Sequence, residues 1–279
     1  MDFQPIVKWS GSKRIQSEQI VSYFPEYMET YYEPFCGGCS VLYQLMVSEE
    51  KFARDFVCSD TNPDLISLWN TVKDSPEQLF SEYCRMWEKM RSMDDTGMKR
   101  AYFEEVRAEF NRTRDPVLFF FITRTCTNGM PRYNMNREFN GTLHLTRDGI
   151  KPKRLQPVIM GWSGLLNENE VMFRCCDYRE IFGMVEEDDL LYLDPPYENT
   201  RSSKYFGKVD FPDFFNRLKI LDSRGMRFVL SYDGRAGGSV MVPSDCYVNR
   251  VYIDSRPGSF RRTFEGWTNT DVYESLYWN

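Results

Sequence analysis

The sequence predicts an α/β fold, an open sheet interrupted by a long, mostly helical insertion, and three observations carry that reading. Short apolar runs toward both ends of the chain stop at an acid or a glycine turn, as strands of an open sheet do. Between residues 65 and 111 the apolar residues instead fall at three- and four-residue intervals, the helical period, with no strand pattern among them. The run Leu190 to Leu193 ends at Asp194-Pro195-Pro196-Tyr197, where prolines without N–H groups must terminate a buried strand. At 279 residues the chain can bury one large core or two smaller ones.

Composition narrows the class. Hydrophobic residues at 42% and charged residues at 27% are ordinary for a globular protein, while the 16% aromatic share is high. No apolar run approaches the ~20 residues of a membrane span, and Met1-Asp2-Phe3-Gln4 lacks the basic start of a secretory leader, so a cytoplasmic protein without a membrane partner is expected. The cysteines include Cys36 and Cys39 in a Cys-x-x-Cys and the adjacent Cys175 and Cys176. With His144 the only histidine, no metal site is expected. The net charge of −6 argues against a nucleic-acid partner only if charge is evenly spread. It is not: residues 122–154 hold seven basic residues (Arg124, Arg132, Arg137, Arg147, Lys151, Lys153, Arg154) against Glu138 and Asp148.

In chain order, Lys8-Trp9-Ser10-Gly11-Ser12-Lys13-Arg14 is a loop of small residues among lysines, with a helical pattern starting near Ile15. Thr30-Tyr31-Tyr32-Glu33-Pro34-Phe35-Cys36-Gly37-Gly38 reads as a strand and a glycine turn, followed by a helix. Paired glycines let backbone approach a ligand at a strand's carboxyl end. The dinucleotide pattern Gly-x-Gly-x-x-Gly is absent, which disfavours a nicotinamide cofactor. A second strand ends in Asp60, the place where nucleoside sites put a ribose acceptor. Asn62 then caps a helix that has Pro63 at its first position.

Helices follow, broken at Pro76 and Gly97, and Phe119 to Ile122 continues as a buried one. In Thr123 to Asn134, Asn128-Gly129 is a hairpin-turn signal, so a hairpin tipped by Asn128, Met130 and Arg132 is expected. Those residues offer a base-edge group, an apolar wedge and a guanidinium for guanine. After Arg154 strands return: one ends at Asp177-Tyr178, one at Asp194, one at Asp233 after a helix closed by Gly225, and two more run through 247–253 and 272–278. Polar segments 199–208 and 255–270 read as loops.

The Asp194 corner suits a planar amine. Pro195 and Pro196 leave carbonyl oxygens as the turn's main polar groups, beside one carboxylate and the Tyr197 ring. From these residues alone the acceptor stays open among a DNA adenine, cytosine N4, an RNA adenine and a protein amide.

Five segments in order now match one family. They are Lys8 to Arg14; Glu33-Pro34-Phe35-x-Gly37-Gly38; Ser59-Asp60-x-Asn62-x-Asp64; Asn128-Gly129-x-x-Arg132-Tyr133-Asn134 with Phe139-Asn140; and Asp194-Pro195-Pro196-Tyr197. Across nearly its whole length the chain resembles the Dam family of DNA adenine-N6 methyltransferases, alpha class. The resemblance implies a Rossmann-like methyltransferase sheet, S-adenosylmethionine as donor and duplex DNA as substrate. Residues 1–66 and 155–279 would form the catalytic domain and 67–154 the target-recognition domain. Lys8, Trp9, Lys13, Glu33, Pro34, Phe35, Gly37 and Gly38 would surround the donor, with Asp60 on its ribose and Asp177 and Tyr178 on its adenine. Asp194, Pro195, Pro196 and Tyr197 would act on the flipped adenine, with no metal required. Arg124, Asn128, Met130, Arg132, Asn134 and Arg137 would meet DNA. GATC is the family's commonest target; Thr127 departs from the aromatic that relatives place there.

Overall fold

The computed structural model describes residues 4–146, 148–196, 209–233, 242–243, 246–254 and 273–279. The expectations for Tyr197, Arg147 and the segments 199–208 and 255–270 lie outside them. By compactness the chain divides into two units, one containing Met1–Ser12 and Asn62–Cys175, the other Lys13–Thr61, Cys176–Arg201 and Gly207–Asn279.

The second unit is built on a sheet. Its strands are β1 (Tyr27–Glu33), β2 (Phe52–Asp60), β4 (Leu190–Leu193), β5 (Arg227–Asp233), β6 (Asn249–Asp254) and β7 (Tyr273–Trp278), in the order β2-β1-β4-β5-β7-β6. β2, β1, β4 and β5 run parallel, with Glu33 beside Cys58, Tyr32 beside Leu191 and Leu193 beside Leu230. β7 is antiparallel to both of its neighbours. The apolar run Leu190–Leu193 is buried along its whole length, as a central parallel strand requires. Burying a leucine side chain of this kind contributes about 1.5–3 kcal/mol.

Short helices α1 (Ser17–Ser22), α2 (Ser40–Met46) and α8 (Tyr178–Phe182) and the longer α9 (Phe211–Ser223) complete this unit. Phe211, Phe214, Phe215 and Leu218 recur at helical spacing on α9 and pack into one cluster with Tyr178, Phe182, Leu193 and Tyr232. Gly225, at φ +74, ends that helix in a conformation other residues adopt at a cost. The first helix starts at Ser17 rather than near Ile15, which is 57% exposed and belongs to the preceding loop.

The first unit is helical: α3 (Pro63–Asp74), α4 (Pro76–Arg91), α5 (Thr96–Thr113), α6 (Pro116–Thr125) and α7 (Pro152–Glu168), with the strand β3 (Met172–Cys175). The side chains of Asn62, Asp95 and Asp115 accept backbone N–H bonds at the starts of α3, α5 and α6. Each cap is worth about 1 kcal/mol. Helix α7 is absent from the sequence reading, which passes from Arg154 straight to strands. Pro157 inside it removes one backbone donor, yet Leu155, Ile159, Trp162 and Leu166 are buried at helical spacing. Trp162 packs on Trp69 of α3, which in turn stacks on Phe173 of β3 at 5.6 Å. This packing explains why the compact helical unit reaches Cys175, past the sequence-based boundary at 154.

Candidate active site and recognition segment

Strands β1, β2 and β4 each bring a carboxylate to one edge of the sheet. β1 ends in Glu33, β2 ends in Asp60, and Asp194 directly follows β4. β1 lies between β2 and β4, so chain connections leave this point in opposite directions, and the carboxyl ends of the strands are where such sheets bind ligands.

Asp194 is held rather than dangling. Its Oδ1 lies 2.8 Å from the Lys13 ammonium, which is only 4% exposed and also stands 3.3 Å from Glu274 Oε2. Burial pushes the Asp194 carboxyl up to about 6; Lys13 opposes that rise and Glu274 adds to it. Pro195 is buried and Pro196 half-buried. Lys13, expected against the donor, is thus an ion-pair partner of the acid that the same reading places on the substrate amine. Glu274 was not singled out in the sequence. It sits on a late strand with no motif around it, and only the antiparallel insertion of β7 beside β5 brings it here.

The glycine turn follows β1. Gly37 has φ +46 and Cys39, which directly precedes α2, has φ +53; Gly37 and Gly38 are buried, and the Cys36 N–H donates to the Ser59 carbonyl at 2.9 Å. Pro34 is buried and Phe35 half-buried. The donor implied by the resemblance fits this edge. Half-buried Asp60 closes β2, the glycines carry no Cβ to hold a ligand off, and Phe35 offers an apolar ring.

Two expected donor residues have other duties. Glu33 is 3% exposed and accepts the Tyr31 hydroxyl at 2.9 Å. Burial raises its carboxyl to about 8, the Tyr31 hydroxyl and the Leu42 N–H pull the other way, and the Asp194 charge raises it further, so Glu33 is protonated at neutral pH. It braces the base of the turn. Tyr178 is a correction: at 1% exposure its ring is core, packed against Phe35, Phe182 and Phe214, with its hydroxyl on Asp213 at 3.2 Å. Asp177 caps α8 and pairs with Arg179 at 2.7 Å, which leaves it half-buried at the end of that segment.

In the helical unit the recognition segment differs from the expected hairpin. Residues 125–134 and 138–144 do run antiparallel, with bridges Cys126 to Leu143 and Tyr133 to Phe139. The reversal, however, is at Asn134 to Arg137 rather than at Asn128-Gly129. The Asn134 side-chain oxygen accepts the N–H groups of Asn136 and Glu138, its amide donates to Glu138, and Arg137 takes φ +60. Asn128-Gly129 instead forms one 3-10 turn at the end of α6, with Asn128 at φ +62. The Asn-Gly pair supplied positive φ values, as a hairpin turn needs, but here they serve to leave a helix.

The side chains sort accordingly. Arg132 and Arg137 are exposed, as are Asn128 and the neighbouring Lys151, Lys153 and Arg154; Met130 is half-buried. Asn134 is committed to its turn. Arg124 is the second correction. Its guanidinium lies over the Phe120 ring, donates to the Pro5 carbonyl at 2.6 Å and is held down to about 10 by burial, so it is structural and not a free phosphate or base contact. Lys8 and Trp9 fall in this unit as well, and the Lys8 side chain passes so close to Gly129 that a Cβ there would meet it at 3.1 Å. Lys8 therefore borders the recognition segment.

Among the described residues no helix is long and apolar enough to cross a membrane. Comparison with known proteins places these features. The chain is 28% identical over 258 residues to the type II methyltransferase M.MjaIII of Methanocaldococcus jannaschii, covering 83% of this chain and 84% of that one. It is 28% identical over 198 residues to a DNA adenine methylase of Haemophilus influenzae and 30% over 195 residues to that of Escherichia coli. Those matches cover 70% and 68% of this chain and 64% of each relative. Residues 9–253 match the model of the D12 class, and the chain belongs to the D12 class of N6 adenine-specific DNA methyltransferases.

Proposed function

We propose that Asp194 and the Pro195 carbonyl activate the N6 amine of an adenine turned out of duplex DNA, and that Tyr197 stacks on its ring. As a member of its family the protein is an enzyme that methylates adenine in DNA at N6. Bound S-adenosylmethionine supplies an electrophilic methyl group on a sulfonium. The N6 lone pair is delocalised into the purine, so the amine alone is a poor nucleophile. Two acceptors, one for each N6 hydrogen, draw the nitrogen toward tetrahedral geometry and aim its lone pair. Methyl transfer would place the positive charge that develops on N6 against the Asp194 carboxylate. The N6 proton is lost afterwards. Catalysis is positioning and electrostatic stabilisation.

The observation that carries this reading is the half-buried Asp194, ion-paired at 2.8 Å and followed by two prolines, at the carboxyl end of a central parallel strand. Asp60, Phe35, Gly37 and Gly38 would hold the donor, Asp60 on its ribose. Residues 1–66 and 155–279 act in catalysis and 67–154 in target recognition. Exposed Arg132, Asn128 and Arg137, with Lys8 beside Gly129, face the DNA, and Arg132 reads a guanine of a GATC-like site. The enzyme works as a monomer in the cytoplasm. Methylating a plasmid, then analysing its nucleosides and sequencing single molecules, tests this: N6-methyladenine in one short context is expected, and N4-methylcytosine or no modified base would overturn it.

A further inference from the structure

We infer that Glu274 is a positioning residue for methyl transfer, acting through Lys13 to keep the Asp194 carboxylate both fixed and net negative toward the substrate amine. The inference rests on Asp194 being the acceptor described above. Its starting point is geometric. One ammonium, 4% exposed, stands 2.8 Å from Asp194 and 3.3 Å from Glu274, which are themselves 18% and 15% exposed. Lys13 alone would be a poor neighbour for the chemistry. It orients Asp194, but a cation beside the carboxylate cancels the field that must stabilise positive charge growing on N6.

Glu274 resolves the conflict. With it the trio of Asp194, Lys13 and Glu274 carries one net negative charge, so the lysine holds Asp194 in place without neutralising it. Glu274 Oε2 is buried and takes no hydrogen bond, so its tie to Lys13 is one of charge rather than of a directed bond. Among the described residues, Glu33 of β1, protonated at neutral pH, and Tyr192 of β4, whose hydroxyl is buried against Ser231 and stays neutral, also face Asp194. Neither supplies the compensating charge. Glu274, 3.3 Å from Lys13, does.

The test uses the full chain with Glu274→Gln, which keeps shape and removes charge, and Glu274→Asp, which keeps charge. Two readouts are taken. In carbon-13 aspartate-labelled protein, with the Asp194 signal assigned by its loss in Asp194→Asn, the Asp194 titration is expected to move toward acid in Glu274→Gln by about half a unit or more, and much less in Glu274→Asp. In single-turnover methyl transfer, Glu274→Gln is expected to slow the chemical step about tenfold with donor and DNA binding unchanged, the acid limb moving with the titration, and Glu274→Asp to recover most of the rate. An unmoved Asp194 titration, or a wild-type rate in Glu274→Gln, overturns the inference. Failure of the wild-type enzyme to methylate adenine would overturn the functional reading instead, and the carboxylate titration still decides the coupling.

Discussion

The Tyr133 hydroxyl donates to the Asp64 carboxylate at 2.9 Å, and Asp64, 3% exposed, also faces the Arg114 guanidinium at 3.4 Å. One buried acid in the first turn of α3 thereby ties the end of α5 to the recognition segment. Phe139, paired with Tyr133, is gripped from α5 as well: the Asn111 side chain accepts its N–H at 2.8 Å and donates to its carbonyl at 3.0 Å. Arg132 precedes Tyr133 in extended backbone and is exposed because Tyr133 is not. Tyr133→Phe removes a bond to a buried charged group and is expected to cost about 1.5–3 kcal/mol. It should also lower discrimination between cognate and scrambled duplexes, since Arg132 loses its anchor. Urea melts and competition binding check the two parts separately.

The acid limb of activity follows from Asp194. Its carboxyl titrates at about 6 and acts only when ionised, so the pH dependence of kcat/KM should be flat above that value and fall on the acid side. Lys13 holds the titration down. Lys13→Met is therefore expected to move the limb toward neutral pH as well as to slow the reaction, while Asp194→Ala abolishes methyl transfer and leaves donor binding largely intact. Methyl incorporation across pH 5 to 9, at about half-unit steps around the transition, reads the limb directly. A limb that stays in place in Lys13→Met contradicts the pairing.

Glu33 makes a separate prediction about stability. Its carboxyl, ordinarily at 4.5, is raised by burial to about 8 in the folded protein, so the folded state binds the extra proton between those values. Stability is then lost as pH rises through that window, the reverse of a salt-bridged acid. Glu33→Gln mimics the protonated form and should flatten the decline, leaving the variant about 2–3 kcal/mol more stable than wild type at pH 8.5 relative to pH 6. Thermal melts at the two pH values test it. Equal slopes in the two proteins would mean that Glu33 is not protonated where it lies.

What the sequence disclosed was whatever depends on local chemistry. The buried strand Leu190–Leu193 stops at Asp194 because prolines cannot continue a ladder, and Asn62 caps α3 with Pro63 at its start, both as read from adjacent residues. What it did not disclose depends on partners far along the chain. Helix α7 is hidden by Pro157, whose lost bond is outweighed by Trp162 and Leu166 packing in the helical unit. The Asn128-Gly129 turn was given the wrong job because the same φ values end a helix or a hairpin arm, and the choice fell to the Asn134 side chain six residues on. Tyr178 looked like a ligand contact beside Asp177 until α9 covered its ring. Glu274 carries no local mark at all; it matters through its meeting with Lys13.

Arg124 and Arg132 are eight positions apart in a basic segment, and their environments separate them. Arg124 is half-buried, lies over Phe120 and is bonded to Pro5, and its Nε is buried without a hydrogen-bond partner. Arg132 is exposed. Arg124→Ala is therefore expected to act on folding: lost packing and a lost charge-assisted bond cost about 1.5–3 kcal/mol, partly offset by relief of the unpaired Nε. Any change in DNA binding should disappear once the folded fraction is corrected for. Arg132→Ala is expected to leave the melting curve within about 0.5 kcal/mol of wild type. It should instead weaken cognate binding by ~1–3 kcal/mol more than scrambled binding, the worth of one bidentate guanine contact. Denaturation curves and titrations on matched duplexes, run on both variants at one salt concentration, separate the roles. Equal losses on the two duplexes for Arg132→Ala would reduce it to a phosphate contact, and a selective loss for Arg124→Ala would place that guanidinium at the DNA after all.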